Sequence, residues 1–540
     1  MAKYSLLYLM LVVQSTAFTQ SKTPLSTIYH FHAETTYIRA DGKPKNTTAY
    51  LWIPPQCQRV RGILVLSQNV LEQWLAEHSA IRQACEASDL AIFWSCPTLF
   101  SETKLREKDR EIHRVVQQQL LDTFASISGY DEIQRVPWLV VGHSGTNNMV
   151  NDFLIHTPNR LIAAIAMKIG PPDRPIFTDV PTLYTAGEYM EWVQFKQDLL
   201  NPFDSIQNYR VFQRVRADKT TPMTYFFDPN TGHFDCSEKL TLMIADYIKA
   251  VCKARLSPEN DTLLRPIDME KGWIVGFPLP NEKAFLPKPF KKATADERKH
   301  PWFFDEKSAK AAYDLANIDW KRKMQYATFS TVNGQAAPFS NRYQIVWPIP
   351  YETQNDGMTF NLQTTFLEKL PDSFRFAGST IGHGEATPQV IPLCGNVVQV
   401  DKNIFRLAPE RTFPSCATYF IVRQEGDKTY RTSISPGQLV LNKNTEGVAQ
   451  SIDFQIINNV NLKSKSLVLN AQSSSGMKTH FYVKSGAAYI LGDTLFFTPI
   501  PPRTKMPMKI TVVAYQWGRS REPKVQTAAS VERAFWITNN

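Results

Sequence analysis

Three residues, in the order Ser144, Glu188 and His233, carry the side-chain types that acyl-transfer chemistry needs. A serine hydroxyl is a weak nucleophile until an imidazole takes its proton, and the imidazole needs a carboxylate to fix its tautomer. Ser144 lies where an apolar run, Trp138 to Val141, stops abruptly at Gly142-His143-Ser144-Gly145. Met149, Val150, Phe153 and Leu154 then recur at helical spacing. Strand, sharp turn and helix in that order push a serine out of the chain, provided the residues two before and two after it are small. Gly142 meets this demand, and Thr146 meets it only loosely. The competing reading makes Ser144 the N-cap of the helix.

His233 falls in the segment Asp228-Pro-Asn-Thr-Gly-His233-Phe-Asp-Cys-Ser237, between a strand at Met223–Phe227 and a helix at Leu240–Ala254. Glu188 follows the strand Pro181–Ala186, with Glu191 as the alternative acid. Asp235 reads as the cap of the closing helix, and His143 as a packing residue. The implied reaction is two-step acyl transfer, with His233 first deprotonating Ser144 and later activating water. The tetrahedral oxygen needs preorganised N–H donors. The Gly145 amide is one, and the loop after Gly62–Leu66 supplies the other from Gln68, Asn69 or Val70, with Asn69 preferred. Gly382-His-Gly-Glu385 reads as a turn.

The elements that must position these groups alternate. Thr47–Ile53 and the buried runs Gly62–Ser67, Leu90–Trp94, Trp138–Val141 and Ile162–Met167 read as strands, with helical stretches at Leu71–Ala87 and Lys104–Ile127. A helical piece follows at Met190–Leu200. Alternation over some 230 residues predicts a mostly parallel sheet flanked by helices, with ligands at the carboxyl ends of the strands.

The chain has 540 residues, 43% hydrophobic and 20% charged, and a formal charge of +10. That length carries two or three domains, and no aromatic-interleaved basic stripe argues for nucleic acid. Lys3, the apolar run Leu6–Val13 and Ser15-Thr-Ala17 read as a signal peptide, too short to span a bilayer. The expected location is secreted or periplasmic, with no transmembrane segment. Seven cysteines do not make a disulfide framework: Cys394 and Cys416 are candidates to pair, and the other five read as buried thiols. No spacing suggests a metal site, and no cofactor is called for. From Leu264 prolines break the periodicity, with a short helix near Ser308–Met324. Beyond Thr328 short alternating runs argue for β-sandwiches, the last ninety residues for an immunoglobulin-like one.

Residues 47–255 resemble an α/β-hydrolase. More closely, the chain resembles a group of secreted bacterial α/β-hydrolase-like proteins of polysaccharide-degrading bacteria. The residues that carry this are Asn69-Val-Leu-Glu72, Ala186-Gly-Glu-Tyr189, Gly232-His-Phe-Asp235, Thr498-Pro-Ile-Pro-Pro-Arg503 and Val512-Val-Ala-Tyr-Gln-Trp-Gly518. Thr146 and a glutamate acid depart from the broad pattern. The expected organisation is a signal peptide (1–20), an α/β-hydrolase domain (21–263), a Pro-rich linker with a short helix (264–327), a β-rich domain (328–447) and an immunoglobulin-like sandwich (448–540). The resemblance implies a secreted serine esterase acting on an ester-bearing substrate such as acylated polysaccharide. The alternatives are a non-catalytic glycan-binding or adhesion protein on a degenerate hydrolase fold and, third, a serine peptidase. The sequence leaves open which ester or glycan is bound, and the oligomeric state.

Overall fold

A computed structural model describes residues 29–99, 107–169, 179–188, 206–216, 221–260, 262–340, 345–372, 374, 376–409 and 417–539. The apolar runs become one eight-stranded sheet in the order β1-β2-β4-β3-β5-β6-β7-β8. Its strands are β1 (Phe31–Ile38), β2 (Pro44–Trp52), β3 (Gly62–Ser67), β4 (Leu90–Cys96), β5 (Trp138–His143), β6 (Leu161–Met167), β7 (Thr182–Gly187) and β8 (Met223–Asp228). β1 and β2 form an antiparallel hairpin, β2 runs antiparallel to β4, and the pairs from β4 through to β8 are parallel.

Continuous apolar strands are required because helices cover both faces. Leu64, Leu66, Leu139, Val141 and Ile165 point to one side, where α1 (Val70–Glu77), α2 (Ser79–Glu86) and α6 (Glu238–Arg255) supply Leu71, Leu75, Ile81 and Ile244. The alternate residues Ile63, Val65, Trp138 and Val140 meet α3 (Glu107–Ser128) and α4 (Asn147–His156) through Leu120, Phe124, Val150 and Phe153. Two further helices, α5 (Ile206–Arg216) and α7 (Glu306–Ala316), add Tyr209, Phe212, Ala309 and Ala312 to the first face. Among the described residues no helix is long and apolar enough to cross a membrane.

Several expectations shift. The helical stretch Leu71–Ala87 is two helices, because His78 leaves helical geometry and caps α2 through its Nδ1 on the Ala80 N–H at 3.2 Å. The Pro-rich segment holds α7 and a three-stranded sheet (Trp273–Gly276, Phe285–Pro289, Trp302–Phe303). Prolines fit its edge strand Phe285–Pro289, where ladder donors are dispensable. The signal segment 1–20, the piece Met190–Leu200 and Cys416 lie outside the described residues.

The second half builds mainly antiparallel sheets. Gln389–Cys394, Thr418–Gln424 and Ser433–Leu439 form one of these, over a core of Phe360, Phe405 and Phe420. The last ninety residues stack the sheet containing His480–Ser485, Met508–Tyr515 and Val531–Thr538 on one containing Ala488–Leu491 and Thr494–Phe497. The β-rich half seals onto the first domain: Leu393, Ile421 and Ile434 join the core beneath α1. Gln73 donates to the Ala417 carbonyl at 3.0 Å, and Glu77 accepts from the Gly395 N–H at 3.3 Å. Cys394 is a buried free thiol, so it does not pair with Cys416, and Cys96, expected as a thiol, is disulfide-bonded.

Candidate active site

Ser144 stands between β5 and α4 with φ +52°, the left-handed region in which a β-carbon is strained. The strand passes into a short 3-10 turn, Ser144–Thr146, and then directly into α4. Close packing permits only glycine at 142: a β-carbon there would meet the Thr146 carbonyl oxygen at 2.7 Å and Val150 Cγ2 at 2.8 Å. Ser144 is half-buried, and its hydroxyl is bonded to no described residue.

The turn is held from below by α1. Glu72, fully buried, accepts the His143 N–H on Oε1 at 2.9 Å and the Thr146 hydroxyl on the same oxygen. Burial pushes the Glu72 carboxyl up to about 8, against the two hydrogen bonds that favour its charged form. Asn69 caps α1 through Oδ1 on the Val70 N–H at 2.9 Å and donates Nδ2 to the His143 carbonyl at 2.6 Å. The Gln68 N–H goes to the Ser95 carbonyl at 2.8 Å. Of the Gln68, Asn69 and Val70 amides, that of Asn69 has no hydrogen bond to a described residue.

His233 follows β8 in a loop tied at several points. Its carbonyl accepts from His143 Nε2 at 2.8 Å, and the two rings lie 4.9 Å apart. A carbonyl only accepts, so His143 carries its proton on Nε2; burial holds this imidazole well below its usual range and hence neutral. Phe234 packs edge-on to both histidines. Asp228 anchors the loop by accepting the Ser237 hydroxyl at 2.5 Å, the Ser237 N–H at 3.0 Å and the buried Lys168 ammonium at 3.2 Å. Ser237, not Asp235, caps α6, while Asp235 accepts the Gly232 N–H at 2.8 Å.

Glu188 stands at the end of β7, buried, beside the start of the same loop. Its N–H donates to the Thr231 carbonyl at 2.7 Å, and its Oε2 accepts the Asn230 N–H at 2.8 Å. Its Oε1 meets the Arg431 guanidinium at 2.5 Å, with side-chain exposures of 0% for Glu188 and 3% for Arg431. Burial raises the Glu188 carboxyl, opposed by Arg431 and the Asn230 N–H. Arg431 reaches in from the β-rich half, over the Trp320 ring at 5.1 Å. Ser144 follows β5, Glu188 follows β7 and the His233 loop follows the adjoining β8, with β6 between β5 and β7. No hydrogen bond joins the three, and the carboxylate is engaged by Asn230 and Arg431. Glu191 lies outside the described residues.

Two elements escaped the sequence reading. Glu72 had a visible signal, a lone carboxylate in the apolar stretch Val-Leu-Glu-Gln-Trp-Leu, whereas Arg431 had none. His383, in the tempting Gly-His-Gly-Glu, stacks on Phe366 at 3.7 Å. One metal-ligand-type group is gathered among the described residues, Glu107, Asp152 and His156, but Arg114 fills it, bonding Asp152 at 2.6 Å and Glu107 at 3.3 Å.

A mixed sheet in this strand order, with serine at the β5–α4 turn, a carboxylate after β7 and histidine after β8, is the α/β-hydrolase fold. No protein-family model and no curated protein sequence matches the chain. Solved structures similar to it include an S-formylglutathione hydrolase from Agrobacterium tumefaciens (12% identity, 42% of this chain and 96% of that one, TM-score 0.29). Others are the esterase domain of a Rhodothermus marinus protein (11%, 41% and 97%, TM-score 0.25) and brefeldin A esterase, a bacterial homologue of human hormone-sensitive lipase (10%, 43% and 80%, TM-score 0.27).

Proposed function

We propose that the chain is a serine hydrolase that cleaves carboxylic esters, with Ser144 as nucleophile, His233 as general base and Glu188 as the acid that orients it. The observation that carries this reading is the strained φ of +52° at Ser144 at the end of a parallel strand. Left-handed backbone at a non-glycine residue costs about 1–3 kcal/mol, persists where the surrounding structure over-determines it, and clusters at active sites. Six other described non-glycine residues share it, and Ser144 differs from them in standing where a parallel strand turns into a helix. His233 would take the Ser144 proton as the hydroxyl attacks the ester carbonyl, and return it to the leaving alkoxide. Water, deprotonated by the same imidazole, would then release the acid. The Gly145 and Asn69 amides would hold the developing oxyanion.

The proposed substrate is an acyl ester of a polysaccharide, outside the cytoplasm. The leader-like residues 1–20 support export, and so does the disulfide at Cys96, which an oxidising compartment preserves. The β-sandwich half, packed against α1 beside the site, supports an extended substrate. Ser144→Ala should lower turnover of p-nitrophenyl acetate by more than about 10⁴-fold. Undiminished turnover ends the reading. A second reading, a non-catalytic glycan-binding protein on the same fold, is favoured by one feature, the engagement of Glu188 by Arg431 rather than by His233. Glycan retention without any ester turnover would support it.

A further inference from the structure

We propose that Glu72 and Thr146 form a brace that holds the Asn69 and Gly145 amides at their working separation, making Glu72 a positioning residue for the tetrahedral oxyanion. This rests on the hydrolase reading above. The two amides belong to different elements, one opening α1 and the other lying in the turn after β5, and no main-chain ladder joins them directly. Glu72 sits in the first turn of α1, so it moves as one body with Asn69. Its Oε1 grips the residue before the nucleophile, through the His143 N–H, and the residue after Gly145, through the Thr146 hydroxyl. Asn69 adds a second tie from the same helix end to the His143 carbonyl.

The chemistry of the position points the same way. α1 also buries Val70, Leu71, Leu75 and Ala76, and its other buried polar residue in this stretch, Gln73, is satisfied by the Ala417 carbonyl at 3.0 Å. A carboxyl there is fully buried, and its Oε2 has no partner. Burying a polar atom without a hydrogen bond is costly, so Oε2 adds to the cost of placing a carboxyl here. Thr146, larger than the position two after the serine favours, supplies the hydroxyl that the carboxyl holds.

The test is the rate at which an alkyl fluorophosphonate phosphonylates the full chain, with the affinity of phenylboronic acid and the KM for p-nitrophenyl acetate. Glu72→Met, of similar length but with no acceptor, should slow phosphonylation by about 100-fold, the scale of one lost oxyanion donor. Boronate affinity should fall in step, while KM moves by less than about threefold, as expected when only transition-state interactions are lost. Glu72→Gln keeps the acceptor for the His143 N–H and should stay within about tenfold of wild type. Should Glu72→Met fail to fold, Thr146→Val removes the second grip at constant volume and should slow labelling by about tenfold. Wild-type rates in Glu72→Met, or in Thr146→Val where it must substitute, overturn the brace alone. Equal losses in KM and boronate affinity also overturn it, since general loosening would move both. A wild-type protein that is never phosphonylated overturns the hydrolase reading, and the brace with it.

Discussion

Replacing Arg431 by methionine tests how firmly the β-rich half is built into the site. The guanidinium and the Glu188 carboxylate are 2.5 Å apart, with side-chain exposures of 3% and 0%. Methionine retains much of the side-chain length and removes the charge, leaving Glu188 with only the Asn230 N–H. Breaking one partner of a buried pair costs about 3–5 kcal/mol, because the remaining charge is desolvated and uncompensated. The expected result is a loss of that size in the urea transition followed by tryptophan fluorescence at pH 8. The pH dependence has a definite sign. Glu188 already titrates above 4.5 when folded, and losing Arg431 raises it further. The penalty is therefore absent below about pH 4.5, where folded and unfolded carboxyls are both protonated, and grows as pH rises through the folded value. Glu188→Gln in the same background should recover most of the loss, since the double variant buries no ion. A loss below about 1 kcal/mol at pH 8, or one equally large at pH 4, would refute the reasoning.

Other perturbations have equally definite outcomes. The rise of the Glu72 carboxyl from 4.5 to about 8 corresponds, at about 1.36 kcal/mol per unit, to about 5 kcal/mol lost above pH 8. Glu72→Gln should thus be nearly neutral to stability at pH 4.5 and stabilising at pH 9 in urea titrations; the reverse order would contradict the burial argument. Gly142→Ala pushes a methyl against the Thr146 carbonyl at 2.7 Å, so thermal scans should show a loss of about 1–3 kcal/mol. Cys96 should resist alkylation in denaturant until a reductant is added, whereas Cys85 and Cys252 should alkylate on unfolding alone; mass spectrometry of the peptides decides it.

Legibility in the sequence followed how local each constraint was. β3, β5 and β6 are wholly buried, so their apolar runs were readable without knowing their neighbours. β1 was missed because its Phe-His-Ala-Glu-Thr-Thr-Tyr-Ile is half exposed in an edge hairpin and carries no continuous apolar signal. The turn at Ser144 was visible because glycine, serine and the following helix are contiguous. His233 was visible because its strand and helix flank it closely. What holds these residues was not visible. The Thr146 hydroxyl finds Glu72 from 74 residues away, and Glu188 finds Arg431 from 243 residues away. Only the fold creates those pairs. The three-stranded sheet after Leu264 was hidden because its prolines lie where an edge strand tolerates them.

The most direct measurement is intact-mass and peptide analysis after exposure to a fluorophosphonate. The account predicts a single adduct on Ser144 in the full chain, absent in Ser144→Ala and formed far more slowly in His233→Ala. No adduct, or an adduct on another serine with Ser144 unmodified, would contradict it.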